Sequence, residues 1–174
     1  NERMPFVDED GHVQSVSLVE AFLNPQLFQD LGAGSLLEGE TLVSHQRIDE
    51  NLVNAVRNQL LGVASDLGAI NIARGREVGL ASLNDVRKML YENGAAMAEN
   101  GSDVTRALLG NPELKPYENW DDFASHLRDP SLVELFKQVY DSVDDVDLWV
   151  GGLAEKPRSS EEGQMGSTFT WIFW

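Results

Sequence analysis

The sequence predicts a mainly α fold, and three observations support that class. Apolar residues recur at intervals of three and four positions in several windows, most clearly at Leu132, Leu135, Phe136 and Val139. Helix-capping residues precede most of these windows. The chain contains no internal repeat, and the pattern along it is almost wholly helical. We therefore expect a helical protein with short non-helical entries to its elements.

The composition alone excludes several classes of function. The 174 residues are 42% hydrophobic, which suits one compact domain with a sizeable core. A formal net charge of -16, with 13 lysines and arginines scattered along the chain, argues against nucleic-acid binding. The absence of cysteine excludes a disulfide framework and any site built on thiolates.

Neither end of the sequence reads as a natural terminus. The chain starts at Asn1 without a methionine, and it stops in an apolar run, Phe169 to Trp174, that is too short to span a membrane. We expect a piece of a longer polypeptide without a membrane span, with any export signal lying upstream.

The first element is expected to be a short hairpin or an extended loop. Apolar residues flank the acidic stretch Asp8-Glu9-Asp10-Gly11-His12, as they do around turns. Asp8 and Asp10 also resemble the opening of a calcium-binding loop, but no downstream glutamate completes that loop. A plain turn is the favoured interpretation.

Two helices and a glycine-rich turn should follow. Ser17 and Glu20 form a capping-box pattern, and the helix that they open should stop before Asn24 and Pro25. A second helix is expected from Gln26 to Leu31. Residues 31–35 lack a preceding strand and a third spaced glycine, which favours a turn over a phosphate-binding loop.

The central stretch runs from Ser65 to Gly79. Before it, Asp49 should cap an amphipathic helix from Glu50 to Leu61. Ser65 and Asp66 are good capping residues for the helix that follows.

Asn71 and Arg74 are the candidate cofactor-binding residues of that helix. They lie three residues apart and so share one helical face. Leu67 and Ile70 follow the spacing of a buried helix, which predicts that Asn71 and the stem of Arg74 are carried inward with them. A buried asparagine and arginine need partners, and nothing obvious in the chain supplies them.

The second half of the chain also reads as helical. Ser82 or Asn84 should cap a helix that ends at Asn93 and Gly94. Further helices are expected at 102–109, 120–127 and 132–140, and a last one should start near Gly166.

Aspartates and histidines are the remaining candidate metal ligands. The three aspartates within residues 144–147 could form a cation site or cap a helical turn that runs into a Gly-Gly bend, and their spacing favours caps. His12 is interpreted as a turn residue and His126 as a helix-surface residue. His45 is interpreted as a surface or boundary residue, because no second histidine, cysteine or carboxylate stands at ligand spacing on the same face. No metal site is predicted.

Two blocks of sequence carry a family resemblance. They are Ile70 to Leu80, which reads INIARGREVGL, and Val143 to Glu155, which reads VDDVDLWVGGLAE. In sequence and in order they resemble the animal-type haem peroxidases, also called the peroxidase-cyclooxygenase superfamily. The resemblance covers essentially the whole chain. It implies the C-terminal helical part of that peroxidase domain, so residues 1–174 are expected to be a fragment of a single domain, truncated at both ends.

The resemblance also implies roles for four residues. Asn71 matches the asparagine that accepts a hydrogen bond from the proximal haem histidine, a bond that fixes the histidine tautomer and strengthens its donation to iron. Arg74 matches an arginine beside a haem propionate. Leu67 and Ile70 would line the proximal side of the haem. The ligand histidine, the distal histidine and its arginine are expected outside the chain, so no catalytic residue is predicted within it.

One segment departs from the family pattern. The motif usually continues Arg-Asp-His-Gly, whereas this chain has Arg76-Glu77-Val78-Gly79. The bonds that the Asp-His pair makes in relatives must therefore differ here.

The parent protein is accordingly expected to be a haem peroxidase that uses hydrogen peroxide to oxidise a small-molecule or metal-ion donor. Its other partner is the remainder of the peroxidase domain, and calcium is a further cofactor that the parent domain could hold. The lack of cysteine indicates a bacterial relative, and family members of that kind are secreted. The isolated segment is expected to be inactive.

Two alternatives stay open. The parent could be a non-catalytic adhesion or interaction module derived from a peroxidase. It could also be a fatty-acid dioxygenase of the same superfamily, which needs a radical-forming tyrosine. Tyr91, Tyr117 and Tyr140 are present, but none lies in a context recognisable for that role.

Overall fold

A computed structural model describes residues 2–44, 46–98, 111–157 and 163–173. The chain divides into two compact units, which we describe separately. The first comprises Asn1–Arg47 and Asn51–Asn71, and the second comprises Ile48–Glu50 and Ile72–Trp174. The described residues are predominantly helical, which confirms the predicted fold class.

The first unit begins with an antiparallel hairpin of β1 (Arg3–Val7) and β2 (Val13–Ser17), which pair from Arg3 opposite Ser17 to Val7 opposite Val13. In the connecting turn, Asp8 Oδ1 accepts hydrogen bonds from the backbone N–H groups of Asp10 (3.1 Å) and His12 (2.8 Å). An aspartate that bonds its own following backbone stabilises a turn. The hairpin interpretation of this segment is confirmed.

Three short helices follow: α1 (Leu18–Ala21), α2 (Pro25–Leu31) and α3 (Ala33–Thr41). The predicted capping box of Ser17 and Glu20 is present at the start of α1. The predicted glycine turn is shorter than expected, because Gly34 already belongs to α3. The turn residue is Gly32, whose φ of 76° favours glycine. At Gly39, a Cβ atom would lie 2.5 Å from the Cα of Phe6, so this glycine allows α3 to pack directly on β1.

The predicted helix from Glu50 to Leu61 is wrong in its extent. The observed helix, α4, spans only Asn54–Asn58, and its first backbone donors have no side-chain cap from the residue before it. Glu2 supplies the acceptor instead, since its Oε1 accepts from the Ala55 N–H at 3.0 Å. In the second unit, Asp49 lies 3.6 Å from the guanidinium of Arg128 rather than at a helix start.

Helix α5 (Leu67–Glu77) begins as predicted. Asp66 Oδ1 accepts hydrogen bonds from the N–H groups of Gly68 (2.9 Å) and Ala69 (3.1 Å), which is the geometry of an N-cap. These backbone bonds, that to Ala69 first, keep the pKa of the Asp66 carboxyl below its ordinary value despite some desolvation.

The second unit contains the remaining helices, joined by 3₁₀ turns at Pro112–Leu114, Pro130–Leu132 and Val143–Asp145. The helices are α6 (Leu83–Ala98), α7 (Trp120–His126), α8 (Val133–Val139), α9 (Leu148–Ala154) and α10 (Ser167–Phe173). These bounds confirm the helices predicted at 120–127, 132–140 and near Gly166, with the second one opening on a 3₁₀ turn.

The cap residue of helix α6 is one of the two predicted, and its last residue differs from the predicted one. Ser82, not Asn84, is the cap, because Ser82 Oγ accepts from the Asp85 N–H at 3.1 Å. The predicted stop at Asn93 and Gly94 is wrong, since α6 runs on to Ala98. One glycine costs a helix about 1 kcal/mol relative to alanine, which neighbouring turns can offset. The predicted helix at 102–109 and His45 lie outside the described residues.

The core of the second unit is formed by residues from α6 to α9 and the turns between them. Its buried members are Leu83, Val86, Tyr117, Phe123, Leu127, Val133, Phe136, Tyr140, Val143, Val146, Leu148 and Ala154. No helix within the described ranges is long and apolar enough to cross a membrane.

The predicted Gly-Gly bend is also wrong, because Gly151 and Gly152 lie inside helix α9. A Cβ atom on Gly151 would lie 2.7 Å from Val146 Cγ1 and 2.8 Å from Leu83 Cδ2, and one on Gly152 would lie 2.9 Å from Phe169 Cζ. The two glycines therefore serve close packing, not chain reversal.

Candidate functional site

Four residues form a stripe along helix α5. Leu67, Ile70, Asn71 and Arg74 stand at positions i, i+3, i+4 and i+7, so they share one helical face. We call them the α5 stripe. The boundary between the two compact units falls inside this helix, after Asn71.

The predicted burial of this stripe is wrong. Asn71 and Arg74 are exposed, Ile70 is 46% exposed, and Leu67 is half-buried. Only Gly68 is buried among the residues of α5. Periodicity identified which side chains share a face, but no described part of the chain covers that face.

The polar groups of the stripe are available to a ligand. The side chain of Asn71 makes no hydrogen bond with any residue that the structure describes. Arg74 Nη1 lies 2.8 Å from Glu77 Oε2, but both side chains are about 70% exposed (71% and 68%). Exposed ion pairs contribute about 0–1 kcal/mol, so Arg74 can exchange Glu77 for another carboxylate at small cost.

The side chains of the stripe combine apolar contact with polar recognition. Leu67 and Ile70 offer apolar contact, and the guanidinium of Arg74 offers a forked contact to a carboxylate. The amide oxygen of Asn71 offers an acceptor to an N–H donor. The stripe therefore offers apolar contact, one forked cationic donor and one amide acceptor to a ligand.

The last turn of α5 is tied to the residue before α9. Arg76 donates to both carboxylate oxygens of Asp147, with Nε 3.0 Å from Oδ1 and Nη2 2.6 Å from Oδ2. Tyr140 Oη donates to the same Oδ2 at 2.7 Å. We call Arg76, Asp147 and Tyr140 the α5 clamp.

The clamp changes the acid-base properties of its members. Burial raises the pKa of Asp147, but the hydrogen bonds from Arg76 and Tyr140 outweigh that effect and leave the pKa below its ordinary value. The pKa of Tyr140 rises to about 12, first because the ring is buried and then because its hydroxyl donates to Asp147. Asp147 is therefore a carboxylate, and Tyr140 a neutral donor, over the physiological range.

The three aspartates of residues 144–147 have separate roles, so the prediction that they act as caps is confirmed only in part. Asp145 forms a capping box with Ser142. Asp144 Oδ1 accepts from Asn84 Nδ2 at 2.6 Å, and Asp147 makes the ion pair described above instead of a cap bond. Among the described residues these aspartates form no group of three potential metal ligands.

The only such group in the described ranges is Asp8, Asp10 and His12, whose ligand atoms lie within 4.8 Å of one another. The Asp8 carboxylate is used by the turn, since it also accepts from Gln14 Nε2 at 3.1 Å. His126, predicted to be a surface residue, is partly exposed, and its Nδ1 lies 2.9 Å from the carbonyl oxygen of Asp122.

A buried ion pair that was not predicted joins Arg87 of α6 to Glu155 at the end of α9. Both side chains are only 1% exposed, and Arg87 Nη1 lies 3.0 Å from Glu155 Oε1. A signal was present, because Arg87 stands on the apolar face of α6 between Val86 and Leu90, where a charge needs a buried partner.

Further donors complete the pair. Arg87 makes six hydrogen bonds, three of them to the carbonyl oxygens of Glu113 and Lys115. Glu155 accepts from Tyr117 Oη at 2.8 Å and from the Thr168 N–H at 2.8 Å. Burial, then the charge of Glu155, raises the pKa of Tyr117 well above its ordinary value. The network joins the C-terminal sequence block to α6 and α10.

Comparison with known proteins gives a consistent family match. The chain matches the family model described as Animal haem peroxidase over residues 1–174. It is 28% identical to Peroxinectin A of Dictyostelium discoideum, an alignment that covers 98% of this chain and 28% of that protein. It is 36% identical to Chorion peroxidase of Drosophila melanogaster over 62% of this chain and 10% of that protein.

The fold is similar to that of a solved relative. The structure of Peroxidase A from Dictyostelium discoideum superimposes with a TM-score of 0.74 at 26% identity, covering 99% of this chain and 29% of that one. The chain thus spans less than a third of the length of each of these relatives.

Proposed function

Because the chain belongs to the animal haem peroxidase family, we propose that it is the haem-supporting part of a peroxidase that uses hydrogen peroxide to oxidise a donor substrate. The haem, when bound, supplies the redox chemistry, and this chain supplies orientation and electrostatics on one side of it. The proposal includes the extent of the domain: residues 1–174 are its C-terminal part. The small share of each relative that the chain covers supports a partial domain, and the C-terminal position rests on the resemblance of the two sequence blocks.

The α5 stripe is the observation that carries this proposal. In it, Asn71 accepts a hydrogen bond from the non-ligating nitrogen of a histidine supplied by another part of the domain, which fixes the tautomer and raises the basicity of that histidine. Arg74 would exchange Glu77 for a haem carboxylate, to which it could donate a forked, charge-assisted contact. Leu67 and Ile70 would supply apolar contact to the haem and keep water from it.

The departure from the family motif gains a local explanation. Glu77, which stands where relatives have aspartate, holds Arg74 by an exposed ion pair. Val78, which stands where they have histidine, is 69% exposed. We propose that Glu77 keeps Arg74 extended along the stripe until the haem carboxylate replaces it.

The other proposals rest on the family or on composition. Hydrogen peroxide and a small-molecule or metal-ion donor are proposed as substrates, and the remainder of the domain as a partner. We propose that the parent protein is secreted and comes from a bacterium. The family resemblance and the lack of cysteine support this proposal. Calcium is proposed for the complete domain on the resemblance alone, outside the Asp8 turn, because hydrogen bonds within the turn occupy the Asp8 carboxylate.

The experiment that tests this function uses the full-length protein loaded with haem. Wild-type protein should oxidise a dye in a peroxide-dependent reaction, and the Arg74→Met variant should release haem faster to a haem-scavenging protein. Arg57→Met is the matched control, because Arg57 also makes an exposed carboxylate pair, with Asp66. The isolated 174-residue chain mixed with haemin should show neither the oxidation nor a five-coordinate histidine spectrum. A wild-type protein without peroxidase activity, or robust activity of the isolated chain, would contradict the proposal.

A further inference from the structure

The α5 clamp lies on the side of the helix opposite to the stripe. A helix turns by about 100° per residue, so Arg76 stands about 160° around α5 from Arg74 and about 140° from Asn71. Arg76 therefore cannot touch a group that Asn71 and Arg74 hold. Its bidentate contact joins the last turn of α5 to a residue 71 positions later in the chain.

Asp147 is a fixed anchor for this contact. Its backbone pairs with Ser82 in an isolated antiparallel bridge, and the neighbouring Val146 carbonyl accepts from the Leu83 N–H at 2.8 Å. Its carboxylate is further held by Tyr140, a buried residue of the core of this unit. Two parallel hydrogen bonds from a planar guanidinium to such an anchor restrict its orientation more than a single bond does.

We propose that Arg76, through Asp147 and Tyr140, is a positioning residue that sets the rotation of α5 and thereby the aim of the Asn71 amide. This inference rests on the proposed function, since it concerns the hydrogen bond that Asn71 would make to the haem histidine. Arg76 and Asp147 belong to the two different sequence blocks that resemble the family. The family match alone gives the contact between them no role, and this inference supplies one.

The exposure of the clamp makes it testable without unfolding the protein. The Arg76 side chain is 58% exposed, so its replacement leaves no cavity in the core. Asp147 is 17% exposed and keeps the hydrogen bond from Tyr140 in such a variant. Lysine at position 76 keeps the charge but loses the forked geometry, which separates an effect of position from an effect of charge.

The test measures the iron–histidine stretching frequency of the ferrous, haem-loaded full-length protein by resonance Raman spectroscopy. A weaker hydrogen bond to the histidine lowers its donation to iron and so lowers this frequency. We expect Asn71→Leu to lower it most, and Arg76→Gln and Arg76→Lys to lower it by a smaller amount. The double variant Asn71→Leu/Arg76→Gln should match Asn71→Leu alone, because Arg76 acts through Asn71. Lys137→Gln, which removes an exposed pair with Glu134, is the control and should keep the wild-type frequency.

The outcomes separate this inference from the proposed function. If Asn71→Leu lowers the frequency while Arg76→Gln does not, or if the two changes add in the double variant, the clamp does not act through Asn71. If Arg76→Lys keeps the wild-type frequency, the charge and not the geometry matters, and the inference is again overturned. If Asn71→Leu itself has no effect, the assignment of Asn71 fails, and both the proposed role of the stripe and this inference fall.

Discussion

Replacing Arg87 with methionine should destabilise the second unit by about 3 kcal/mol, and the structure gives the reasons. The guanidinium is 1% exposed and makes six hydrogen bonds. Removing one partner of a buried ion pair typically costs about 3–5 kcal/mol, because the other charge stays buried without compensation. Here Glu155 keeps the hydrogen bonds from Tyr117 and Thr168, which places the expected cost at the lower end.

Hydrogen exchange of backbone amides measures this cost locally. A loss of about 3 kcal/mol should speed the exchange of protected amides in α6 and α10 by a factor of more than about 100. Lys137→Met is the matched control, since it removes an exposed ion pair with Glu134, and such pairs contribute about 0–1 kcal/mol.

A double variant sharpens the test. Arg87→Met/Glu155→Gln removes both charges, so it should be less destabilised than the sum of the two single variants, with a coupling of about 1–3 kcal/mol. If Arg87→Met exchanged at the same rate as Lys137→Met, or if the two single changes were additive, the network would not hold the unit together as described.

The remaining predictions concern packing and pH. Gly151→Ala should destabilise α9 by about 1–3 kcal/mol in urea unfolding, because its methyl would lie within 2.8 Å of Val146 and Leu83. The control Gly34→Ala should be neutral or stabilising, because nothing lies within 4 Å of the added methyl. Equal effects of the two substitutions would refute the packing account. Tyr140 has a raised pKa in the folded state, about 12 against an ordinary 10.0, so its contribution to stability is complete below pH 10 and lost as pH rises through 12. The difference in urea midpoint between wild type and Tyr140→Phe should therefore shrink from pH 9 to above pH 12, and a constant difference would contradict the assigned hydrogen bond to Asp147.

Local features of the fold could be predicted because the residues that hydrogen-bond in them lie close together in the sequence. The capping box of Ser17 and Glu20 and the Asp66 cap of α5 each join residues at most three positions apart. The helix predicted after Asp49 failed for the opposite reason. The acceptor for the Ala55 N–H comes from Glu2, which lies 53 positions away, and no local rule identifies such a partner.

The shared helical face of the proposed site residues was predicted, but the surroundings of that face were not. Spacing correctly placed Asn71 and Arg74 on one face of α5, yet spacing cannot tell whether protein or a ligand covers that face. The roles of Gly151 and Asp147 were missed because they depend on Leu83 and Arg76, which approach only in the folded chain. Arg87 could have been found, since a charge on an apolar helix face predicts a buried partner.

The reduction potential of the haem iron tests the central claim most directly, because the claim is that the exposed face of α5 supports the haem. In the haem-loaded full-length protein, Asn71→Leu removes the acceptor for the histidine N–H, weakens donation to iron and should raise the midpoint potential. Ala69→Ser, on the opposite side of α5, should leave it unchanged. An unchanged potential in Asn71→Leu, or an equal shift in both variants, would contradict the account.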